Sequence, residues 1–355
     1  MMRYFIIGLF FLLGIMSSCS TLNDYDPSPL KNYDALWKIL DEGYCYFDEK
    51  LPADSTWQDM YLKHLPKIHA GMSQDSLFDV MSDLLAELKD GHVNLFSPFD
   101  LSRYSKWHSD YPTHLNTSVR NRYLGNKYRI AGGLYYAPIK YLDHEKDSIG
   151  YIVYNSFASS ITLSNIASAF VRLKSCKALI IDIRNNGGGN LNYSTLFASH
   201  FAPQRTLTGY MRHKTGPGHK DFSPPSPVYI DTLKQGVKWF RPVVVLVNRG
   251  VYSAANDFAV ITKELPYVTL MGDKTGGGGG LPTSSELPNG WAVRYSSSIL
   301  TDARDRSIEF GIDPHYPVSL KEEDVKEGKD TLIEEAIVYL NNRIQRSREK
   351  GYYEK

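Results

Sequence analysis

The chain has 355 residues, enough for about two domains of ordinary size. Its 42% hydrophobic and 22% charged content is that of a folded protein and excludes wholesale disorder. With 40 basic against 39 acidic residues and a formal charge of +1, it lacks the basic excess of a nucleic-acid binder, and no nucleic-acid partner is expected.

The first feature along the chain is an apolar run, residues 5–16, behind Arg3 and ahead of Ser17, Ser18 and Cys19. A membrane span needs about 20 apolar residues, so 1–18 reads instead as a secretory signal. The context Ile15-Met16-Ser17-Ser18-Cys19 resembles the bacterial lipobox. That likeness implies an acylated Cys19 holding the protein to a membrane of the bacterial cell envelope, facing the periplasm or the surface. Polar, Pro-containing 19–29 would be the lipidated tether. Cys45 and Cys176 remain, too few for a disulfide scaffold, and no Cys/His cluster has metal spacing. The sequence asks for no metal and no cofactor.

Residues 30–94 read as a small helical domain. Its clearest helix spans 73–90, where Leu77, Val80, Met81, Leu84, Leu85 and Leu88 recur at i, i+3, i+4, i+7, i+8 and i+11. Ser73 is placed to cap it, and Gly91 to supply a left-handed exit, which sets His92 just past a helix end. Residues 95–148 form a β-rich connecting segment with many Tyr. From 149 the pattern becomes strand, loop, helix. Strands are expected at 149–154, 178–183, 243–247 and 267–271, and helices at 161–173, 191–200 and 253–264. A last amphipathic helix is expected at 331–346. This alternation predicts βαβ units around a largely parallel sheet, an α/β fold. Residues 206–232, rich in Pro, Gly and Lys, read as a long surface excursion.

Two strand ends could carry chemistry. Asp182-Ile183-Arg184-Asn185-Asn186-Gly187-Gly188-Gly189 offers backbone N–H groups that can converge on an anion. Neither nucleotide-loop spacing fits it. The glycines suit either a tight turn or the cradle of a transient oxyanion. In Val247-Asn248-Arg249-Gly250-Val251-Tyr252-Ser253-Ala254, a strand-to-helix turn presents Ser253 with the mechanics of a nucleophile elbow, although GxSxG is missing. The same position suits a serine that only caps a helix. A serine nucleophile needs a base. Of ten histidines, His92 in Leu88-Lys89-Asp90-Gly91-His92-Val93-Asn94-Leu95 has the most suggestive context, for a structural or a basic role.

The segments ELKDGHVNL, IGYIVYNSF, ALIIDIRNNGGG, PVVVLVNRGVYSAANDFA, YVTLMGDKTGGGG and IEFGIDPHYPV occur in this order. Together, over about residues 30–345, they resemble the C-terminal processing (tail-specific) peptidases and the related core of tricorn protease. The resemblance implies a Clp protease/crotonase-like core over 149–346, behind the helical cap and without a PDZ insert. Tail-specific members pair Ser with a Lys, where this chain has the glycines 276–280. Tricorn-like members use Ser, His and Glu. Residue by residue, the resemblance implies Ser253 as nucleophile, His92 as general base and Glu309 in IEFGIDP as acidic partner. It implies an oxyanion hole from the N–H groups of Gly189 and Ala254, with Gly188 as the nearby substitute. Gly91 stands where tricorn has a Ser before its His, and His315 where the family pattern has Asp. The implied activity is a serine endopeptidase acting on a peptide or unfolded protein laid along a sheet edge. The missing Lys and Gly91 motivate an alternative, a weak or inactive peptide- or ligand-binding protein on the same scaffold. A crotonase-like thioester enzyme ranks last.

Overall fold

A computed structural model describes residues 25–139 and 149–349. The expected signal and Cys19 lie outside the described residues. Twelve strands are described: β1 (Asn94–Phe96), β2 (Arg129–Ala131), β3 (Leu134–Pro138), β4 (Ile149–Tyr154), β5 (Ala178–Asp182), β6 (Thr206–His213), β7 (Ser226–Ile230), β8 (Val243–Val247), β9 (Val268–Gly272), β10 (Gly280–Glu286), β11 (Ala292–Asp302) and β12 (Tyr316–Pro317). Seven form a sheet in the order β12-β9-β8-β5-β4-β3-β2. It is parallel from β12 to β4 and antiparallel from there to β2.

The sequences of β5 and β8, Ala-Leu-Ile-Ile-Asp and Val-Val-Val-Leu-Val, are buried throughout. Unbroken apolar runs are what a strand covered on both faces requires. Leu179, Ile181, Val243, Val245 and Val247 enter a core shared with the helices Leu163–Arg172, Leu191–Ser199 and Ala254–Lys263. The alternate residues Ala178, Ile180, Val244 and Leu246 enter a second core with the helices Thr117–Leu124 and Thr331–Glu349. Each full burial of a Val, Leu or Ile contributes about 1.5–3 kcal/mol, so both helical layers are held firmly to the sheet.

The second sheet is built on β11. It pairs with β10 along one side and with β1 and β6 along the other, and β7 joins at β6. This corrects the reading of 206–232 as a surface excursion, because both ends of that segment are strands. Pro227 is tolerated in β7 because that strand is at a sheet edge, where a missing N–H costs little. Leu287, Trp291, Val293 and Tyr295, on and beside β11, pack with Tyr33, Leu36, Trp57, Leu84 and Leu88. The N-terminal helices and the second sheet therefore share one core.

The expected helix 73–90 is shorter, Gln74–Ala86, and Ser73 caps it by accepting the Ser76 N–H at 3.1 Å. Its exit also differs from expectation. Lys89, not Gly91, takes the left-handed conformation, with φ 49°. Gly91 is needed for space instead, since a Cβ there would lie 2.6 Å from Trp107 Nε1 and 3.0 Å from the Tyr252 hydroxyl. Among the described residues, no helix is long and apolar enough to cross a membrane.

Candidate active site

The register of the parallel sheet sets Asp182 beside Leu246 and Val247 beside Gly272. The loops that follow β5, β8 and β9 therefore share one rim, the carboxyl ends of the strands, where open α/β sheets gather their functional groups.

Ser253 sits on this rim with φ 55° and ψ −124°. That region costs a non-glycine residue roughly 1–3 kcal/mol, so the surroundings must impose it. They do so through three backbone bonds: Tyr252 N–H to Asn186 O at 3.1 Å, Ser253 N–H to Gly277 O at 2.9 Å, and Asp257 N–H to Ser253 O at 2.9 Å. A capping serine would be extended, with its oxygen accepting from the helix. Ser253 is not extended, and its side chain makes no capping bond to the helix Ala254–Lys263. Its half-buried hydroxyl is thus left at a helix N-terminus, where negative charge is favoured.

The glycine turn packs directly on this serine. Gly188 and Gly189 have φ 95° and 141°. A Cβ on Gly188 would lie 2.6 Å from Tyr252 O and 2.8 Å from Ser253 Cβ, and one on Gly189 would lie 2.1 Å from Ala158 N. Neither position has room for a side chain. Gly188 N–H donates to Asn186 Oδ1 at 3.0 Å, so this amide is engaged and Gly188 serves here as the point of close approach. Among the described residues, the N–H groups of Gly189 and Ala254 have no hydrogen-bond acceptor.

His92 is 2% exposed, and its ring centre lies 4.9 Å from that of Tyr252, the residue before Ser253. The front third of the chain has folded back onto the turn that carries Ser253. Neither ring nitrogen has a hydrogen-bond partner among the described residues. Burial pushes the imidazole down to about 4, against the opposing charge of Asp90 and with Arg294 and Lys50 adding to the drop. The neutral form of the ring, the one able to accept a proton, is therefore present at pH 7. As pH falls from about 6.5 to about 4, the unfolded chain protonates this histidine and the folded chain does not, so stability falls with pH across that window. Denaturant titrations at pH 7.5 and 4.5 should show His92→Leu losing about 2–3 kcal/mol less than wild type. Parallel losses would show that the imidazole is not depressed.

Glu309 is 2% exposed. Its Oε1 lies 2.6 Å from Lys50 Nζ, and its Oε2 accepts the Gly279 N–H at 2.8 Å. Burial and the Asp90 charge push its carboxyl up, with Lys50 pulling the other way. Burial alone would lower Lys50, but Glu309 and Asp90 outweigh it and hold the ammonium above its ordinary value. Lys50 is therefore a charged partner and not a neutral amine base. The structure packs Gly188 against Ser253 and Ala254 and the His92 ring against Tyr252, with no hydrogen bond between the imidazole and Ser253. It places Glu309 on Lys50 and the 276–280 loop, with no bond to the imidazole.

Three participants escaped the sequence reading. Lys50 ends the short helix Phe47–Lys50, an ordinary place for a lysine, and nothing in its spacing marks it. Trp107 stacks on Tyr252 with ring centres 4.0 Å apart and fills the space above Gly91 and Gly276. Asp90 stands inside the His92 motif and was visible without a role. A cavity of about 200 Å³ lies beside the site, lined by Lys50, Trp107, Tyr252, Glu309 and Phe310 among others.

The model of peptidase family S41 matches residues 148–318, and that of the tricorn protease C1 domain matches 26–86. A candidate peptidase from Parabacteroides merdae ATCC 43184, of known crystal structure, is 47% identical, with a TM-score of 0.82 over 89% of this chain and 97% of that one. The carboxy-terminal processing protease CtpA of Bacillus subtilis (strain 168) is 28% identical over 183 residues, 51% of this chain and 37% of its own. The carboxyl-terminal-processing protease of Synechocystis sp. (strain ATCC 27184 / PCC 6803 / Kazusa) is 31% identical over 148 residues, 41% of this chain and 32% of its own. The chain thus spans about a third of the length of these two proteases. The fold is an α/β fold with a Clp protease/crotonase-like core behind N-terminal helices. The chain belongs to peptidase family S41.

Proposed function

We propose that the protein is a serine endopeptidase that cleaves peptide bonds through an acyl-enzyme on Ser253, with His92 as general base. The observation that carries this reading is the strained, uncapped Ser253 with the His92 ring packed on the residue beside it. His92 takes the hydroxyl proton as the oxygen attacks the peptide carbonyl. It returns that proton to the leaving amine, and water then releases the acyl group by the same exchange. The developing oxyanion is met by the N–H groups of Gly189 and Ala254, each such donor supplying about 3–4 kcal/mol to the transition state. Glu309 serves as the acidic partner at a distance, holding Lys50 and the 276–280 loop in place.

The substrate is a peptide or unfolded protein. The enzyme acts in the bacterial cell envelope, tethered through a lipid on Cys19. The binding-protein alternative draws support from one observation, the absence, among the described residues, of any hydrogen-bond partner on the imidazole. A serine-directed fluorophosphonate separates the two. Intact-mass and peptide mapping should find one phosphonyl group per chain, on Ser253, formed far more slowly in His92→Ala. An unlabelled Ser253 would favour the binding protein.

A further inference from the structure

Asp90 is 1% exposed and lies two residues before His92. Its Oδ1 accepts the His92 backbone N–H at 2.7 Å and the Tyr252 hydroxyl at 3.3 Å. Its Oδ2 accepts the Tyr44 hydroxyl at 2.7 Å. The three donors come from the loop that carries the base, the turn that carries the nucleophile, and the C-cap of the helix Pro29–Gly43. One buried carboxylate therefore ties the His92 loop to the residue that immediately precedes Ser253. The remaining charged groups facing this cluster are Lys50, Glu309 and Arg294, and the Cys45 thiol also lies close by.

We propose that Asp90 is the positioning residue of the site, fixing the separation of His92 from Ser253 by holding Tyr252 and the His92 backbone at once. This rests on the peptidase reading above. Asp90 makes no hydrogen bond to the imidazole or to the Ser253 hydroxyl, so it acts through the two backbones and the Tyr252 ring. A carboxylate is suited to the task because it accepts from several donors and gives none away. The cluster also explains Gly91, since a side chain there would collide with the Tyr252 hydroxyl on its way to Asp90.

The test uses the full chain and a peptide that wild type cleaves, with Asp90→Asn, Tyr252→Phe and the double variant. A shift of about 1 Å between reacting groups is enough to cost roughly 100-fold, so each single change should lower kcat by about that factor with KM nearly unmoved. Tyr252→Phe removes the donor of this link and Asp90→Asn weakens its acceptor by removing the charge, so the double variant should be no slower than the worse single. In Asp90→Asn the acid limb of the kcat profile should also move to lower pH, because a negative charge near the imidazole is gone. In Tyr252→Phe it should stay. Tyr252→Phe keeps the ring packing and carries the test alone should Asp90→Asn fail to fold. Wild-type kcat in Tyr252→Phe, or additive losses in the double variant, would overturn the positioning role while Ser253-dependent cleavage left the peptidase reading intact. Cleavage that survives Ser253→Ala would instead remove the reading on which the role rests.

Discussion

Ser253→Ala is expected to lower kcat/KM for peptide hydrolysis by about 10⁴-fold or more while leaving the folded state unchanged. The rate term follows from the proposed chemistry, in which the Ser253 oxygen is the atom that attacks the carbonyl, so its removal leaves no nucleophile to form the acyl-enzyme. Residual cleavage above the uncatalysed rate would come from the oxyanion donors and binding alone. The stability term follows from geometry. The Ser253 side chain makes no capping bond, and alanine inherits the same φ of 55° with the same strain. A change within about 0.5 kcal/mol is therefore expected, as for a substitution that removes no packing and no hydrogen bond. Rates and thermal midpoints of the two proteins, measured side by side, test both halves. Equal cleavage would remove Ser253 from the chemistry. A large fall in melting temperature would mean that the hydroxyl has a structural partner after all.

The second large effect lies beneath the site. The Arg184 side chain is fully buried between two carboxylates. It donates to Asp182 at 3.0 and 2.6 Å, to Asp330 at 3.0 Å and to the His114 carbonyl at 3.2 Å. Asp182 ends β5 and also accepts the Tyr151 hydroxyl at 2.8 Å, and Asp330 accepts the first amides of the last helix from Leu332 and Ile333. One guanidinium thus joins the strand that launches the glycine turn, the final helix and the segment that carries His114. Burial would raise the Asp182 carboxyl, but Arg184 outweighs it and holds it below the usual range. Arg184→Leu leaves two buried carboxylates without the guanidinium that bonds them both, and losing one member of such a group costs about 3–5 kcal/mol. Against a total stability of about 5–15 kcal/mol this is a large share. Urea titration should show a much lower midpoint at an unchanged slope. A loss under about 1 kcal/mol would show that water reaches the triad. Neutralising the pair as well, with Asp182→Asn and Asp330→Asn, should restore part of the loss.

The legibility of this chain followed burial. β4, β5, β8 and β9 could be read because strands covered on both faces are unbroken apolar runs, and the helix 74–86 because its leucines keep a 3.6-residue period. β10 and β11 could not. Gly-Leu-Pro-Thr-Ser-Ser-Glu and Ala-Val-Arg-Tyr-Ser-Ser-Ser-Ile-Leu-Thr-Asp become strands through pairing with each other and with β1 and β6, partners far away in sequence. At the site, Ser253, His92 and the glycine turn stood in recognisable local contexts. Gly91 was misread because helix-exit logic is local, whereas the pressure on that residue comes from Trp107 and Tyr252 across the molecule. Lys50 was invisible for the same reason, since only the folded chain brings it to Glu309.

Catalysis requires one imidazole and one hydroxyl to work as a pair, and a crystal structure of the fluorophosphonate adduct tests that most directly. It should show phosphorus bonded to Ser253 Oγ and a phosphoryl oxygen about 2.7–3.1 Å from the amide nitrogens of Gly189 and Ala254. It should also show a His92 ring nitrogen about 2.6–3.2 Å from Ser253 Oγ. An adduct on another residue, or one on Ser253 with the His92 ring out of reach and the oxygen turned away from both amides, would contradict it.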